Sequence, residues 1–342
     1  MYVTTLETLT DGQEAEIWAF LENHPHNTVF QSPAFFRFYA TLRHFKPVYF
    51  LLYNPHKKLE ALMLAVIITE NIPVFRRLSA RCVVYGGPLL SNENLGLLEP
   101  LLTALNNNMA NSSLFTQFRN FRQWDQTAIQ LFEKHGYSYR DRLNLLLDTG
   151  SKQQLLSRMS ASRRRQLQKA LASGVEIHPA KNTGEVRSLY SLLKTLYQKK
   201  VRKPLPGLDY FTCFFDQMVS KGHGAILLVW FNNQIIGGIV APVTKGKTIA
   251  ELYIAGLDKE YPKQYPSVAA TWAALAYAAD NGIAAFDFMG LGLPDVPYGV
   301  RDFKLRFGGQ PVNYGRFGRR NAKWLYLVAE TGYNVLRMIQ KV

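Results

Sequence analysis

The chain has 342 residues, 47% of them hydrophobic and 19% charged, which excludes a disordered chain and suits two domains better than one core. Lys and Arg number 40 against 25 Asp and Glu, and the net charge of +15 favours a polyanionic partner: RNA, an anionic membrane surface or phosphorylated substrates. Charge alone does not choose among these, and an inert basic surface is also compatible with it.

The N-terminal stretch MYVTTLETLTDGQEAEIW is acidic and polar where a signal peptide is basic and then apolar, and no segment reaches 18 apolar residues. The expectation is a cytoplasmic protein that touches a membrane, if at all, from the inside. Residues 13–22 read as a short helix, and in FQSPAFFRFYATL Ser32 caps a second helix with Pro33 at its first position. VYFLLY, the turn NPHKK and LEALMLAVIIT form a strand, turn and strand. RCVVYGG is a further strand, LGLLEPLLTALNNN a helix and SLFTQFRNF a strand; AIQLFEKHGYSYRDR is a helix that ends at Gly136 and turns into a strand.

The connecting stretch LLLDTGSKQQLLSRMSASRRRQLQKALASGVEIHPA reads as strand, helix, basic helix ending at Gly174, and strand. The earlier order then returns. AILLVWF, the turn NNQ and IIGGIVAPV match the first hairpin, and IAELYIAG is the next strand. SVAATWAALAYAADNG is a helix ending at Gly282, AAFDFMG is a strand, and YGVRDFKLRFGGQPVNY parallels AIQLFEKHGYSYRD. The prediction is a duplicated α/β unit with mixed, largely antiparallel sheets. The boundaries expected from this reading are 1–147 for the first domain and 148–321 for the second. A tail helix over 322–342 places Trp324, Val328, Val335 and Ile339 near one face, to pack back on the first domain or lie on a membrane surface.

Hairpin, strand, helix, strand, helix, strand is the order of the GNAT N-acyltransferase fold, and a tandem pair resembles the FemABX family of aminoacyl-tRNA-dependent peptidyl transferases. FQSPAFFRF, VVYGGPLL, MSASRRRQLQKALASGV, LDYF and FDFMG followed by FKLRFGG are similar to that family's pattern. Long members carry a coiled-coil arm in the second domain; no sustained heptad run occurs here, so the resemblance is to the short form. It implies transfer of an aminoacyl group from charged tRNA to an amine of a UDP- or lipid-linked muropeptide, with no cofactor and no metal.

The same resemblance singles out residues. Lys304, of the Phe303 and Lys304 pair, would hold the tRNA 3′ end or stabilise the developing oxyanion, and Phe303 would stack on the terminal base. The bland alternatives are a solvated lysine on a basic helix and a core phenylalanine. Arg37, in SPAFFRF, falls where the family presents a basic residue to the acceptor's phosphates, a task suited to the guanidinium fork. Tyr210 in LDYF and Tyr253 in ELYIAG match acceptor-binding tyrosines. The family arginine before the first of these has no counterpart at the same spacing, although Arg202 and Lys203 lie upstream. Arg163, Arg164, Arg165 and Lys169 make a basic helix that either meets tRNA phosphates or is simply solvated. Asp287 in FDFMG is a candidate base, but a strand-end Asp before a Gly-rich turn more commonly satisfies backbone N–H groups.

Two rivals remain open. A GNAT enzyme holds acetyl-CoA by its pyrophosphate on a Gly-rich turn at a helix N-terminus. The corresponding turn here, DKEYPKQYPSVAAT, has two prolines and no glycine, which argues against an acyl-CoA donor acting on an amino sugar or polysaccharide. The other rival is a non-catalytic RNA- or membrane-binding protein on a degenerate scaffold. Cys82 and Cys213 are the only cysteines, both in apolar surroundings, so no disulfide framework or Cys-rich metal site is available. No HExxH, GxSxG or Walker A pattern occurs.

Overall fold

In the computed structural model, which describes residues 1–69, 80–201 and 204–321, the chain divides into two units. The first comprises residues 1–141 together with the chain from Tyr314, and the second Arg142–Asn313.

In the first unit the elements are β1 (Tyr2–Leu6), α1 (Asp11–Glu22), α2 (Pro33–Ala40), β2 (Phe45–Tyr53), β3 (Leu59–Ile68), β4 (Arg81–Tyr85) and β5 (Leu89–Leu90), followed by α3 (Leu98–Met109), β6 (Phe115–Arg119), α4 (Gln126–Lys134) and β7 (Ser138–Arg140). The second unit continues with β8 (Leu143–Asp148), α5 (Lys152–Arg158), α6 (Ala161–Ala172), β9 (Glu176–Pro179), α7 (Thr183–Leu196), α8 (Leu208–Phe214), β10 (Gly224–Phe231) and β11 (Gln234–Thr244). It ends with β12 (Thr248–Ala250), β13 (Tyr253–Gly256), α9 (Pro266–Asp280), β14 (Ala285–Asp287), α10 (Gly299–Leu305) and β15 (Gln310–Asn313); β16 (Arg316–Arg320) returns to the first unit.

Local chemistry fixes many of these boundaries. The Ser32 hydroxyl accepts from the Phe35 N–H at the start of α2, with Pro33 in the first turn, as the sequence predicts. Thr10 and Ser151 start α1 and α5 with reciprocal capping boxes. In α3, Leu98, Leu101, Leu102, Leu105 and Met109 recur at helical spacing and are buried against Val48, Phe50, Met63 and Ala65 of the sheet. Each such fully buried Leu contributes roughly 1.5–3 kcal/mol.

The duplication is visible in strand order. The first sheet runs β1-β2-β3-β4-β6-β16-β7, with β5 on β3; the second, read from its other end, runs β9-β10-β11-β12-β14-β8-β15, with β13 on β11. The two orders correspond position by position. One departure from the sequence reading follows: the strand between β6 and β7 is β16, from the far end of the chain, and its counterpart between β14 and β15 is β8. Hence residues 142–147 belong to the second unit and 316–320 to the first, which moves both expected boundaries. The expected tail helix over 322–342 lies outside the described residues.

Both units share a fork. In each, one strand pairs on both sides, including a parallel partner (β4 with β6, β12 with β14), while its continuation pairs on one side only (β5 with β3, β13 with β11). In the second unit the register passes from Val243 opposite Ile249 to Val240 opposite Tyr253, one extra residue on the forked strand. The sequence reading of IAELYIAG as one strand is therefore interrupted at Glu251 and Leu252. Such a bulge re-aims a side chain, and here it turns Glu251 into the interior.

Candidate active site

What fills the fork differs between the units. In the first it is a neutral amide: Gln31, fully buried, donates from Nε2 to the carbonyls of Tyr85 at 2.8 Å and Leu64 at 3.1 Å, while its Oε1 accepts from the Leu64 N–H at 2.7 Å. In the second it is an ion pair. Lys304 Nζ lies 2.8 Å from Glu251 Oε1, with both side chains less than one-tenth exposed, and donates to the carbonyls of Phe288 at 2.6 Å and Gly290 at 3.2 Å. An ammonium has three N–H groups, and these three contacts use them all.

Lys304 therefore differs from the open cation expected from sequence. It staples the turn after β14 to the bulge of the forked strand. That turn is strained, since Met289 has φ of 57°, and a carboxylate also holds it: Asp287 Oδ1 accepts from the Met289 N–H at 2.6 Å and from Asn144 Nδ2 at 2.8 Å. Asp287 thus has the backbone-satisfying role that its place in FDFMG favoured. Burial raises its pKa above the usual carboxylate range, against the pull of the Met289 N–H, Asn144 and Lys304.

Glu251 was not singled out by sequence reasoning. Its signal was a lone carboxylate inside the apolar run IAELYIAG. Burial pushes its pKa up, and the Lys304 charge and hydrogen bond pull it back only in part. Its second oxygen, Oε2, is buried and has no hydrogen-bond partner among the described residues. A buried acceptor in that state is satisfied either by taking a proton or by receiving a donor from outside the chain.

Tyrosines border this carboxylate. Burial, then the nearby charge of Glu251 and the Tyr298 phenol, raises the Tyr197 pKa to about 12. Its ring lies 6.2 Å from that of Tyr253, which in turn meets Phe211 at 5.1 Å and Tyr210 at 5.9 Å edge to face. Tyr210 and Tyr253 are thereby brought together on the side of the fork that carries Glu251. Arg202 and Lys203 lie outside the described residues.

The remaining candidates separate. Phe303 is half-buried, with its ring edge to face with Phe307 at 5.4 Å and covered by the Arg163 guanidinium at 4.2 Å. Arg163 is buried, donating from Nη2 to the Phe303 carbonyl at 3.0 Å and from Nη1 to Gln166 at 2.9 Å; burial lowers its pKa to about 10, helped by the charge of Arg306 and opposed by Asp258. These contacts correct two expectations. Arg163 braces α10 from within instead of presenting a charge to phosphate, and one face of Phe303 is already stacked. Arg164 is half-buried and donates to the Leu156 carbonyl at 3.2 Å, whereas Arg165 and Lys169 are exposed. Arg37 belongs to the first unit, where it pairs with Glu14 and, at 3.6 Å, with Asp11; the Glu14 hydrogen bond raises its pKa. No cluster of His, Cys, Asp and Glu suited to a metal occurs among the described residues.

The N-terminus of α9 is the place where a GNAT fold implies CoA, by its pyrophosphate. Three features oppose that fit. The capping residue Tyr265 is left-handed at φ 46°, Pro266 at the first position has no N–H, and the Ser267 N–H is already given to Asp258 Oδ1 at 3.1 Å. Ser267 Oγ donates to the other Asp258 oxygen. Gly256 permits this closeness, because a Cβ there would stand 2.5 Å from the Ser267 backbone nitrogen. A carboxylate of the chain thus occupies the anion position, and a pyrophosphate placed there would meet like charge.

Residues 157–305 match the family model described as an acetyltransferase (GNAT) domain. No curated protein matches the sequence. Among solved structures, FemX superposes with a TM-score of 0.71 at 14% identity, covering 95% of this chain and 99% of that one. A tandem GNAT protein from the clavulanic acid biosynthesis pathway gives 0.61 at 10% identity over 94% and 99%. L-PGS from Bacillus licheniformis gives 0.56 at 15% identity over 92% and 96%. These likenesses establish the fold: two GNAT-like domains in tandem.

Proposed function

We propose that the protein is an acyltransferase of the FemABX kind, moving an aminoacyl group from charged tRNA to an amine of a cell-wall precursor. The observation that carries this reading is Asp258 at the N-terminus of α9, because it removes the anion cradle by which the fold would hold an acyl-CoA. An aminoacyl ester needs no such cradle. It needs a positioned carbonyl, a free amine and an acceptor for the proton the amine releases. The GNAT match over the second unit, the tandem fold and the charge of +15 support the same choice.

In this reading the amine nitrogen attacks the ester carbonyl and gives up a proton, the C–N bond forms, the C–O bond to the ribose breaks, and the ribose oxygen leaves with the proton that the amine released, relayed through one carboxylate. Glu251 Oε2, buried and uncommitted, takes the proton from the amine. Lys304 acts as a positioning residue: it fixes Glu251 and the 288–290 turn rather than donating to the oxyanion. Tyr210 and Tyr253 wall the acceptor's side. The test is transfer of labelled amino acid from a charged tRNA pool to UDP-linked and lipid-linked muropeptides. Glu251→Gln should lose transfer while tRNA retention on a filter at low salt persists; absence of both transfer and retention in the wild type overturns the reading.

The GNAT match also favours a second reading, an N-acyltransferase that uses acyl-CoA. It requires acetyl-CoA to raise the melting temperature of the wild-type chain.

A further inference from the structure

Among the described residues, the large hydrophobic side chains that remain exposed are unevenly placed. Leu293, Val296, Tyr298, Val300 and Leu305, each between 37% and 49% exposed, fall within one segment leading into and along α10; the others are Met1, Tyr2 and Leu171. A contiguous exposed apolar patch marks a contact with something.

The segment is built to hold these side chains outward. Arg301 turns inward and donates from Nε to the Leu291 carbonyl at 3.0 Å, from Nη1 to Pro294 at 2.9 Å and from Nη2 to Val296 at 3.2 Å and to Leu293. The Gly292 carbonyl accepts from the Leu143 N–H at 3.0 Å, and the Leu291 N–H returns a bond of 2.8 Å. The backbone is thus satisfied from the inside by one guanidinium and a strand, and the apolar side chains contribute little to that order.

Two features identify the occupant. The five side chains project at irregular spacing from a loop with two prolines and a short helix, without the stripe or edge that a partner helix or strand would read; a fluid surface requires no register. Charge favours an anionic surface by a small local excess. Asp295 and Asp302 in the segment are matched by Arg301 and Arg306, the exposed Arg158 adjoins Arg306 through the Arg306 carbonyl bonded to Ser160 and the close packing of Gly308 on Arg158, and the whole chain carries +15. We propose that residues 293–305 are a membrane-surface contact, placing Leu293, Val296, Tyr298, Val300 and Leu305 among the headgroups of a bilayer that contains anionic lipid. No helix among the described residues is long and apolar enough to cross a membrane, and the contact is interfacial. It stands independently of the acyl donor.

The experiment is sedimentation of the full-length protein with phosphatidylcholine vesicles containing about one-quarter phosphatidylglycerol, compared with pure phosphatidylcholine. The wild type should pellet with the mixed vesicles and less with the neutral ones. L293S/V296S/V300S, whose fold is checked by circular dichroism and melting temperature, should lower the vesicle-bound to free ratio at least about tenfold, since partitioning scales with inserted apolar area. Arg306→Glu should weaken binding only to the anionic vesicles. Undiminished vesicle binding by the folded triple variant overturns the proposal. So does absence of wild-type binding at low salt, or concentration-dependent self-association abolished by the same substitutions.

Discussion

Replacing Lys304 with Met keeps the approximate length and apolar stem of the side chain and removes its charge together with its N–H donors. Glu251 then stays buried without its counter-ion, and the carbonyls of Phe288 and Gly290 lose a donor. Breaking a buried pair from one side costs about 3–5 kcal/mol, because the remaining charge is uncompensated. The cost should depend on pH. In the folded wild type Glu251 already binds its proton more readily than in the unfolded chain, since burial outweighs Lys304, so this group's contribution to stability falls as pH rises above the ordinary carboxylate value of 4.5. Without Lys304 the folded pKa rises further and the fall is steeper. The deficit of Lys304→Met relative to the wild type is therefore smallest in acid and largest above neutrality. Urea unfolding at pH 5 and pH 8, followed by hydrogen exchange at β12 and β14, measures it. In the double variant K304M/E251L both charges are gone, and stability should return to within about 1–3 kcal/mol of the wild type, the remainder being the two carbonyls. A deficit below about 1 kcal/mol, or one equal at both pH values, would refute the buried pair and return Lys304 to a surface role.

Asp258→Ala should remove a cap from α9, lowering stability by about 1 kcal/mol, and free the Ser267 N–H. Addition of CoA should leave the melting temperature of the wild type unchanged; a rise in the wild type contradicts the occupied anion position. Arg163→Ala should destabilise by about 1–3 kcal/mol, through loss of a buried guanidinium stacked on Phe303 and Phe307, whereas Arg165→Ala should stay within about 0.5 kcal/mol. If Arg165 and Lys169 meet tRNA phosphates, replacing them should flatten the salt dependence of filter binding. Equal stability losses for Arg163→Ala and Arg165→Ala would refute the distinction between a buried and a solvated arginine on this helix.

The element order was legible because its signals are local. Ser32 before Pro33, glycines at 136, 174 and 282, and alternation in the hairpins each act within a few residues, and the structure places helices and strands where they point. The exchange of β8 and β16 was not legible, since pairing partners more than 100 residues apart leave no mark in either segment's own pattern. Arg163 illustrates the same limit within the site. Arg163, Arg164 and Arg165 are identical in type and helix propensity, and only the tertiary neighbours Phe303 and Phe307 decide which is buried. Glu251 left a faint trace, one carboxylate in an apolar strand, whose meaning depended on a bulge and on Lys304, more than 50 positions away. The turn at 257–266 was readable as a poor phosphate cradle from its prolines; that Asp258 occupies the position required coordinates.

The strand exchange also sets an order for synthesis. Residues 142–313 form a continuous unit and can close as soon as they leave the ribosome, whereas the first sheet keeps an unfilled slot between β6 and β7 until β16 emerges. At synthesis rates of about 5–20 residues per second the delay from Asp141 to β16 is roughly ten seconds or more, during which two strand edges stand open to mispairing. The later-made half therefore matures before the earlier one, and a nascent chain halted before Arg316 should be a client for chaperones even though every residue of its second unit is already present.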